Sequence, residues 1–564
     1  MPITKRDCRT LGLIAASAAV VLPLVAGCGI DENTPIYYRT DARLSTYNAA
    51  SREGNADGVA MAFTRVLGGF SFLGPQGQVV SDRDVGEATA VPGPTLTVKY
   101  TFSPKALYSD GVKPTCDDVL LSWVAQSGRF PGFTPATTAG YRDIERVDCA
   151  PGADTAVVHY VKGRDYRDWR SLFGAGALLP AHIVARDAGA PSILDAIRAR
   201  KPAVLEAVAK SWNAGFRLSA GPLDPARFVA LGPYRAESFD PKSGLRLVPN
   251  DKWWGQAPAV RNIVVHGRNT DAAARTAHGG FDVTDTAVGI DAPAAGAEPA
   301  QPQVSPAGHS LSVEQVVLAQ RGVLGPPQAR QAFGACVPRD ALARTAGYGS
   351  QPWNLHVLTP ASDLADPINT QFGVRYARPD IVRAREAAGQ RPPLPNGAPP
   401  PPMRVRVAYL GPDARRAGMV AAMAESCRRA GIDVVDAGGP AVTVTGLGTA
   451  FDALLVNTGA SFAAAGAASD VRSAYAFFGG DPLNIGDFRY PPATDAVTRF
   501  SVSVVAGDQL AQLRELETVA WRELASIPLF ATPREQVWSD KLSGVIAGRA
   551  RNGTGWNMDR WSRS

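Results

Sequence analysis

LGPYRAESFDPKSGLRLVPNDKWWGQAPAVRNIVVHG, residues 231–267, carries two runs of alternating apolar and polar side chains around a turn. That pattern predicts two antiparallel strands. An aromatic loop at Trp253-Trp254-Gly255 follows, and residues 262–266 form a third strand. Trp253 and Trp254 are expected to pack a corner, because paired aromatics bury large apolar areas.

Working towards the N-terminus, residues 168–187 predict a helix, a break, and a short helix opened by Pro180, with a strand before them at 156–161. The stretch PTLTVKYTFSPKALYSDGVKPTCDDVLLSWVAQSG, residues 94–128, predicts a strand over 95–102 and a turn at Ser109-Asp110-Gly111. Thr115 can cap a helix beginning near Cys116, with Asp117 and Asp118 favourably placed in its first turn. Val119, Leu120 and Trp123 then form its buried face. Residues 59–66 show helical spacing and stop at Gly68-Gly69, and residues 29–45 read as a tether and first strand.

Towards the C-terminus, residues 271–304 are rich in Ala, Pro and Gly and read as the crossing into a second lobe. Residues 328–346 form an amphipathic helix pair, and RPPLPNGAPPPP (391–402) is a proline-rich linker or exposed loop. A strand over 405–409, a helix over 417–430 and strands over 433–435 and 453–456 follow. That succession indicates a parallel α/β unit. Residues 508–530 predict one long helix ending before Pro528.

At the extreme N-terminus, Lys5, Arg6 and Arg9 precede an uncharged apolar run that ends in Leu24-Val25-Ala26-Gly27-Cys28. A basic start, an apolar middle and small residues at the cut make a secretory signal. The run is shorter than the roughly 20 residues of a spanning helix, which is the competing reading. The cysteine after two small residues resembles a bacterial lipoprotein signal, so Cys28 is the expected lipidation site, anchoring residues 28–564 at the outer face of the cytoplasmic membrane, in the cell envelope. A length of 564 residues with 45% hydrophobic and 20% charged side chains implies a globular chain of two or three domains. Net charge is +6, and losing residues 1–27 removes three basic and one acidic side chain to leave +4. So small a surplus, with no basic block, argues against nucleic acid as a partner.

The order of these landmarks resembles the family 5 extracellular solute-binding proteins, the peptide- and nickel-binding components of ABC importers. YSDGVKPTCDDVLLSW, LPAHI, the 231–265 segment, RQAFGACVPRDAL and ELASIPLF each match a family element, in the family's order, over nearly the whole mature chain. The resemblance implies an α/β, two-lobed periplasmic-binding-protein-like fold with an extra domain in lobe one, a hinge and a central ligand cleft. On that reading lobe one takes 28–56, 170–270 and 530–564, the extra domain takes 57–169, and lobe two takes 271–529. The implied partners are ABC permease subunits, a peptide or other small-molecule ligand, and the membrane through the lipid. No cofactor is implied, and family members are mostly monomers.

The resemblance also aligns Arg52, Glu53, Gly54 and Asn55 with the first cleft loop. In the family's peptide binders a Trp-x-Ala-Asp-Tyr stretch supplies an aspartate for the peptide amine. Here that stretch reads Thr458-Gly459-Ala460-Ser461-Phe462, so Thr458 replaces the tryptophan and Ser461 the aspartate. An ammonium in a closed cleft needs a counter-charge. Ser461 supplies none, so either Glu53 compensates or the ligand is not a free-amine peptide. Trp353, Asn354 and Tyr475 lie in loops that could also face the cleft, with core packing the alternative for each.

Four cysteines remain after Cys8 and Cys28, an even number in an exported chain. Three disulfide pairings are open, as are buried free thiols. The chain-local pairing, Cys116–Cys149 with Cys336–Cys427, keeps each bridge inside one lobe. No metal-binding cysteine spacing is present, the six histidines are scattered singly, and no catalytic elbow, HExxH or phosphate loop occurs. An enzyme is therefore not expected. The competing function is a non-transport lipoprotein of the same fold, acting in envelope assembly or regulation by binding a lipid, glycan or protein.

Overall fold

The computed structural model describes residues 34–290, 308–464 and 469–563, together with 303, 304 and 466. The signal segment and Cys28 lie outside the described residues.

The 231–267 segment folds as its alternation requires. Strands Tyr234–Asp240 and Gly244–Pro249 pair antiparallel, and Ile263–His266 continues the sheet on the far side of Gly244–Pro249. The intervening corner is packed, with the Trp253 and Trp254 rings 4.6 Å apart. Trp254 Nε1 donates to the Asp84 carbonyl at 2.6 Å, tying the corner to a distant loop. Ile263–His266 also pairs parallel with Ile36–Thr40, which in turn pairs parallel with Val283–Ala287.

From there the sheet passes through one long strand. The second half of Ser526–Ser539 pairs with Val283–Ala287, and its first half pairs with Gly308–Leu318. Gly308–Leu318 leads on to Ala453–Asn457, Arg404–Ala408 and Asp433–Asp436. The last three strands, with helix Ala414–Arg428, form the expected parallel unit. A strand shared between two sets of neighbours joins two bodies while confining bending to its middle, near Thr532.

A separate four-stranded antiparallel sheet contains Gly86–Val91, Thr97–Phe102, Thr155–Tyr160 and Ile144–Asp148. Helix Cys116–Gln126 packs on it. Thr115 accepts from the Asp117 N–H, and the Asp118 carboxylate accepts from the Thr115 N–H, which closes a capping box. Val119, Leu120 and Trp123 are buried, as their spacing requires. Asp118 also receives the Tyr108 hydroxyl at 2.9 Å and the Ala181 N–H at 2.8 Å. One side chain thus fixes the turn, the helix start and the helix Ala181–Asp187.

Disulfides join Cys116 to Cys149 and Cys336 to Cys427, with Cα separations of 5.5 and 4.9 Å. Three sequence expectations are corrected. The helix expected in the first part of 168–187 is only a 3₁₀ turn, Trp169–Ser171, because Phe173 and Gly176 turn the backbone to positive φ soon after. The helix expected over 59–66 is Ala60–Phe63, preceded by a second helix, Arg52–Asp57. The helix expected to reach Pro528 is Ala506–Glu523, ending where Leu524 turns to positive φ. Ser526 onwards is strand.

Candidate solute cleft

A cavity of about 550 Å³ lies between the two bodies. Residues between Ala50 and Ala177 line one side, Leu311 and residues between Thr359 and Arg472 line the other, and Arg551 and Asn552 close one end. This volume suits a small solute or short peptide. Its floor is built by close backbone approach. A Cβ on Gly69 would sit 2.1 Å from the Gly174 carbonyl carbon, so only glycine lets these segments touch.

The two sides meet around the cavity. Asn55 Nδ2 donates to the Gly459 carbonyl at 2.8 Å, and Asn55 Oδ1 accepts from Arg472 Nη2 at 2.7 Å. The Phe462 N–H donates to the Ala56 carbonyl at 2.7 Å. Asp481 receives both the Thr137 and Thr138 hydroxyls and the Thr138 N–H, at 2.7 to 3.0 Å. Arg164 Nη1 reaches the Thr498 carbonyl at 2.8 Å. The arrangement is closed.

The charged lining is unbalanced. Four arginines (Arg167, Arg170, Arg472, Arg551) face two aspartates (Asp168, Asp470). Arg167 Nε lies 3.7 Å from Asp168, and Arg170 is exposed over the Trp169 ring. Asp470 is pushed up to about 6 by burial, and Asp168 adds repulsion. Arg551 is pushed down to about 9 by burial and by Arg472, and burial also lowers Arg472.

The residues aligned with the cleft from sequence sit around this cavity rather than on its wall. Arg52 borders a smaller pocket of about 260 Å³ beside Asp481. Glu53 pairs with Arg217 at 2.9 Å on the exposed side of its helix. Gly54 packs against the Asn48 carbonyl, where a Cβ would clash at 2.1 Å. Asn55 bridges the two sides, as described above. Thr458 bonds through its hydroxyl to the Val313 backbone. Ser461 is buried, and its Oγ lies 3.5 Å from the Ala56 carbonyl. Phe462 is buried among Ala56, Leu454 and Val456. Tyr475 is buried and stacked on Phe478, with its hydroxyl 3.4 Å from Asp143. Trp353 and Asn354 belong to the shell of Arg339, whose guanidinium bonds to Trp353 O and Asn354 Oδ1. Arg472 and Arg551 belong to no motif of the sequence. Their only local signal is the lack of acidic neighbours beside Arg551.

Among the described residues, no three His, Cys, Asp or Glu side chains converge as a metal site. His356 is buried and bonded to Glu517 at 2.7 Å and to the Ser526 carbonyl. No helix among the described residues is long and apolar enough to cross a membrane.

Two bodies joined by a shared strand and closed around a cavity define a two-lobed solute-binding protein. The family described as "Bacterial extracellular solute-binding proteins, family 5 Middle" matches residues 91–471, and the chain belongs to that family. The uncharacterized lipoprotein Rv2585c of Mycobacterium tuberculosis is 34% identical over 572 residues, covering 100% of this chain and 99% of the relative. Among solved structures, an oligopeptide-binding protein from Thermus thermophilus complexed with a pentapeptide superposes with a TM-score of 0.73 at 14% identity, covering 94% of this chain and 96% of that one. The periplasmic EDTA-binding protein EppA superposes with a TM-score of 0.72 at 18% identity, covering 94% and 97%. Family and fold are those of binding proteins rather than enzymes.

Proposed function

We propose that the protein is the envelope-anchored capture component of an ABC importer, holding a small solute in the 550 Å³ cavity and presenting it to a permease. The observation that carries this reading is the cavity between two bodies that already touch through Asn55 and Asp481. Closure around a ligand needs two bodies and a hinge, and the strand Ser526–Ser539 supplies the link. Val283–Ala287 pairs beside Ile36–Thr40, so we take lobe two to begin after residue 287. Anchoring through Cys28 at the outer face of the cytoplasmic membrane agrees with the lipoprotein naming of the relative, and local capture raises solute supply at the permease. We take the unit to be a monomer.

The ligand need not be a peptide. The fold neighbours are named for solutes as different as a pentapeptide and EDTA. Ser461, where an amine-binding aspartate would stand, is buried against Ala56 and carries no charge.

A deletion strain fed isotope-labelled mixtures of peptides and small solutes tests the import role. The expected result is loss of accumulation of one solute class, restored by the wild-type gene but not by Ala175→Trp, which fills the cavity wall. Unchanged accumulation of every labelled component would refute import and favour the non-transport envelope role.

A further inference from the structure

The guanidinium of Arg472 makes one side-chain bond, to the neutral amide oxygen of Asn55, and its Nη1 is buried without a hydrogen-bond partner. Arg551 donates one bond, from Nη2 to the Ala49 carbonyl at 3.2 Å. Among the described residues neither forms an ion pair, and both line the same cavity.

Arginines without an ion pair are not by themselves binding sites, and Arg339 shows why. It too lacks an acidic partner, but its donors reach Pro528 O, Gly373 O, Trp353 O and Asn354 Oδ1. Its donors are taken up by the protein, and it does not line this cavity. Arg472 and Arg551 are half-buried on the cavity lining with fewer bonds than Arg339 makes, and Asp481 offsets the charge of Arg472 only at a distance, without an ion pair. Of the remaining charges on the wall, Asp168 lies beside Arg167, and Asp470 accepts the Thr359 N–H at 3.3 Å. Arg170 stands exposed.

We propose that Arg472 and Arg551 are the anion-recognising end of the cavity and receive a carboxylate or phosphate group of the solute. The inference rests on reading the cavity as the solute site. A guanidinium presents a planar fork of donors that matches both oxyanions. Two such forks, close enough for Arg472 to lower the pKa of Arg551, fit a solute carrying a concentrated negative charge. Asn55 holds Arg472 from the opposite lobe, so anion recognition and lobe closure share a residue.

The test uses the full-length protein in mild detergent with three probes at matched ionic strength. These are tricarballylate for carboxylates, sulfate for tetrahedral oxyanions, and neutral tricarballylamide. Thermal shift and calorimetry should show wild-type protein binding at least one anion and ignoring the amide. The anion that binds identifies the source. Arg551→Gln should weaken that binding by about tenfold or more, the value of a lost charge-assisted hydrogen bond. Without ligand, Arg551→Gln should melt no lower than wild type, because it removes a half-buried charge that makes no ion pair and is repelled by Arg472; a merely structural arginine would instead lower the melting temperature. Arg472→Lys keeps the charge but loses the fork, and should weaken binding less than Arg472→Gln. If neither anion shifts wild type more than Arg551→Gln, the inference fails. If a neutral solute co-purifies with wild type and Arg551→Gln alike, the anion claim fails while the solute site stands. If nothing binds and nothing co-purifies, both fail.

Discussion

Asp470 is the residue on which the cavity's charge turns. It lies two positions before Arg472 on the same wall and is pushed up to about 6 from 3.8, chiefly by burial. The Ser362 hydroxyl and the Thr359 N–H hold its charged form, Asp168 opposes it and Arg167 favours it. Because the folded protein holds this proton more tightly than the unfolded chain, the stability it confers is complete below 3.8 and is lost as pH rises through about 6. The same proton sets the cavity's charge. Between pH 7.5 and pH 5 the wall becomes more positive, so binding of sulfate, dianionic throughout, should tighten by roughly threefold or more, a modest screened Coulomb effect. Calorimetry at the two pH values measures this directly. Asp470→Asn should flatten the dependence, and a wild-type affinity that falls on acidification would contradict it.

At the scale of elements, the Cys336–Cys427 bridge ties the end of helix Pro327–Cys336 to the end of helix Ala414–Arg428 across 91 residues. Closing so long a loop stabilises chiefly by restricting the unfolded chain, by about 4 kcal/mol. Cys336→Ala with Cys427→Ala should lower unfolding free energy by about that amount in urea titrations. A change within error would mean that the packing of the two helices alone carries the contact. The same scale shows where sequence is legible. The alternating strands 234–249 and the Thr115 cap were readable because period and capping chemistry are local signals. The end of the helix before Ser526 was not. Apolar side chains run on from Leu513 through Leu529, and neither spacing nor Pro528 marks the change to strand, which pairing with Gly308–Leu318 imposes. The 52–55 segment was expected as a loop. It is a helix because Ser51 caps its start and Gly58 turns left-handed at its end.

At the scale of the whole molecule, order along the chain was enough to place the two-lobed architecture, since the family elements occur in sequence. The cavity wall was not readable in this way. Arg472 and Arg551 are 79 positions apart and meet only after the long strand Ser526–Ser539 has returned the C-terminal segment to the cleft. Two of the residues aligned with the ligand, Asn55 and Phe462, bond across the lobes, Asn55 to Gly459 and Phe462 to Ala56. The central claim is that the cavity between these lobes holds a solute. Native mass spectrometry of the full-length protein, purified in mild detergent from its own host, tests it most directly. The account predicts a discrete extra mass on wild-type protein, lost on denaturation and absent from Ala175→Trp. A bare mass for folded wild type, or the same adduct on both proteins, would contradict it.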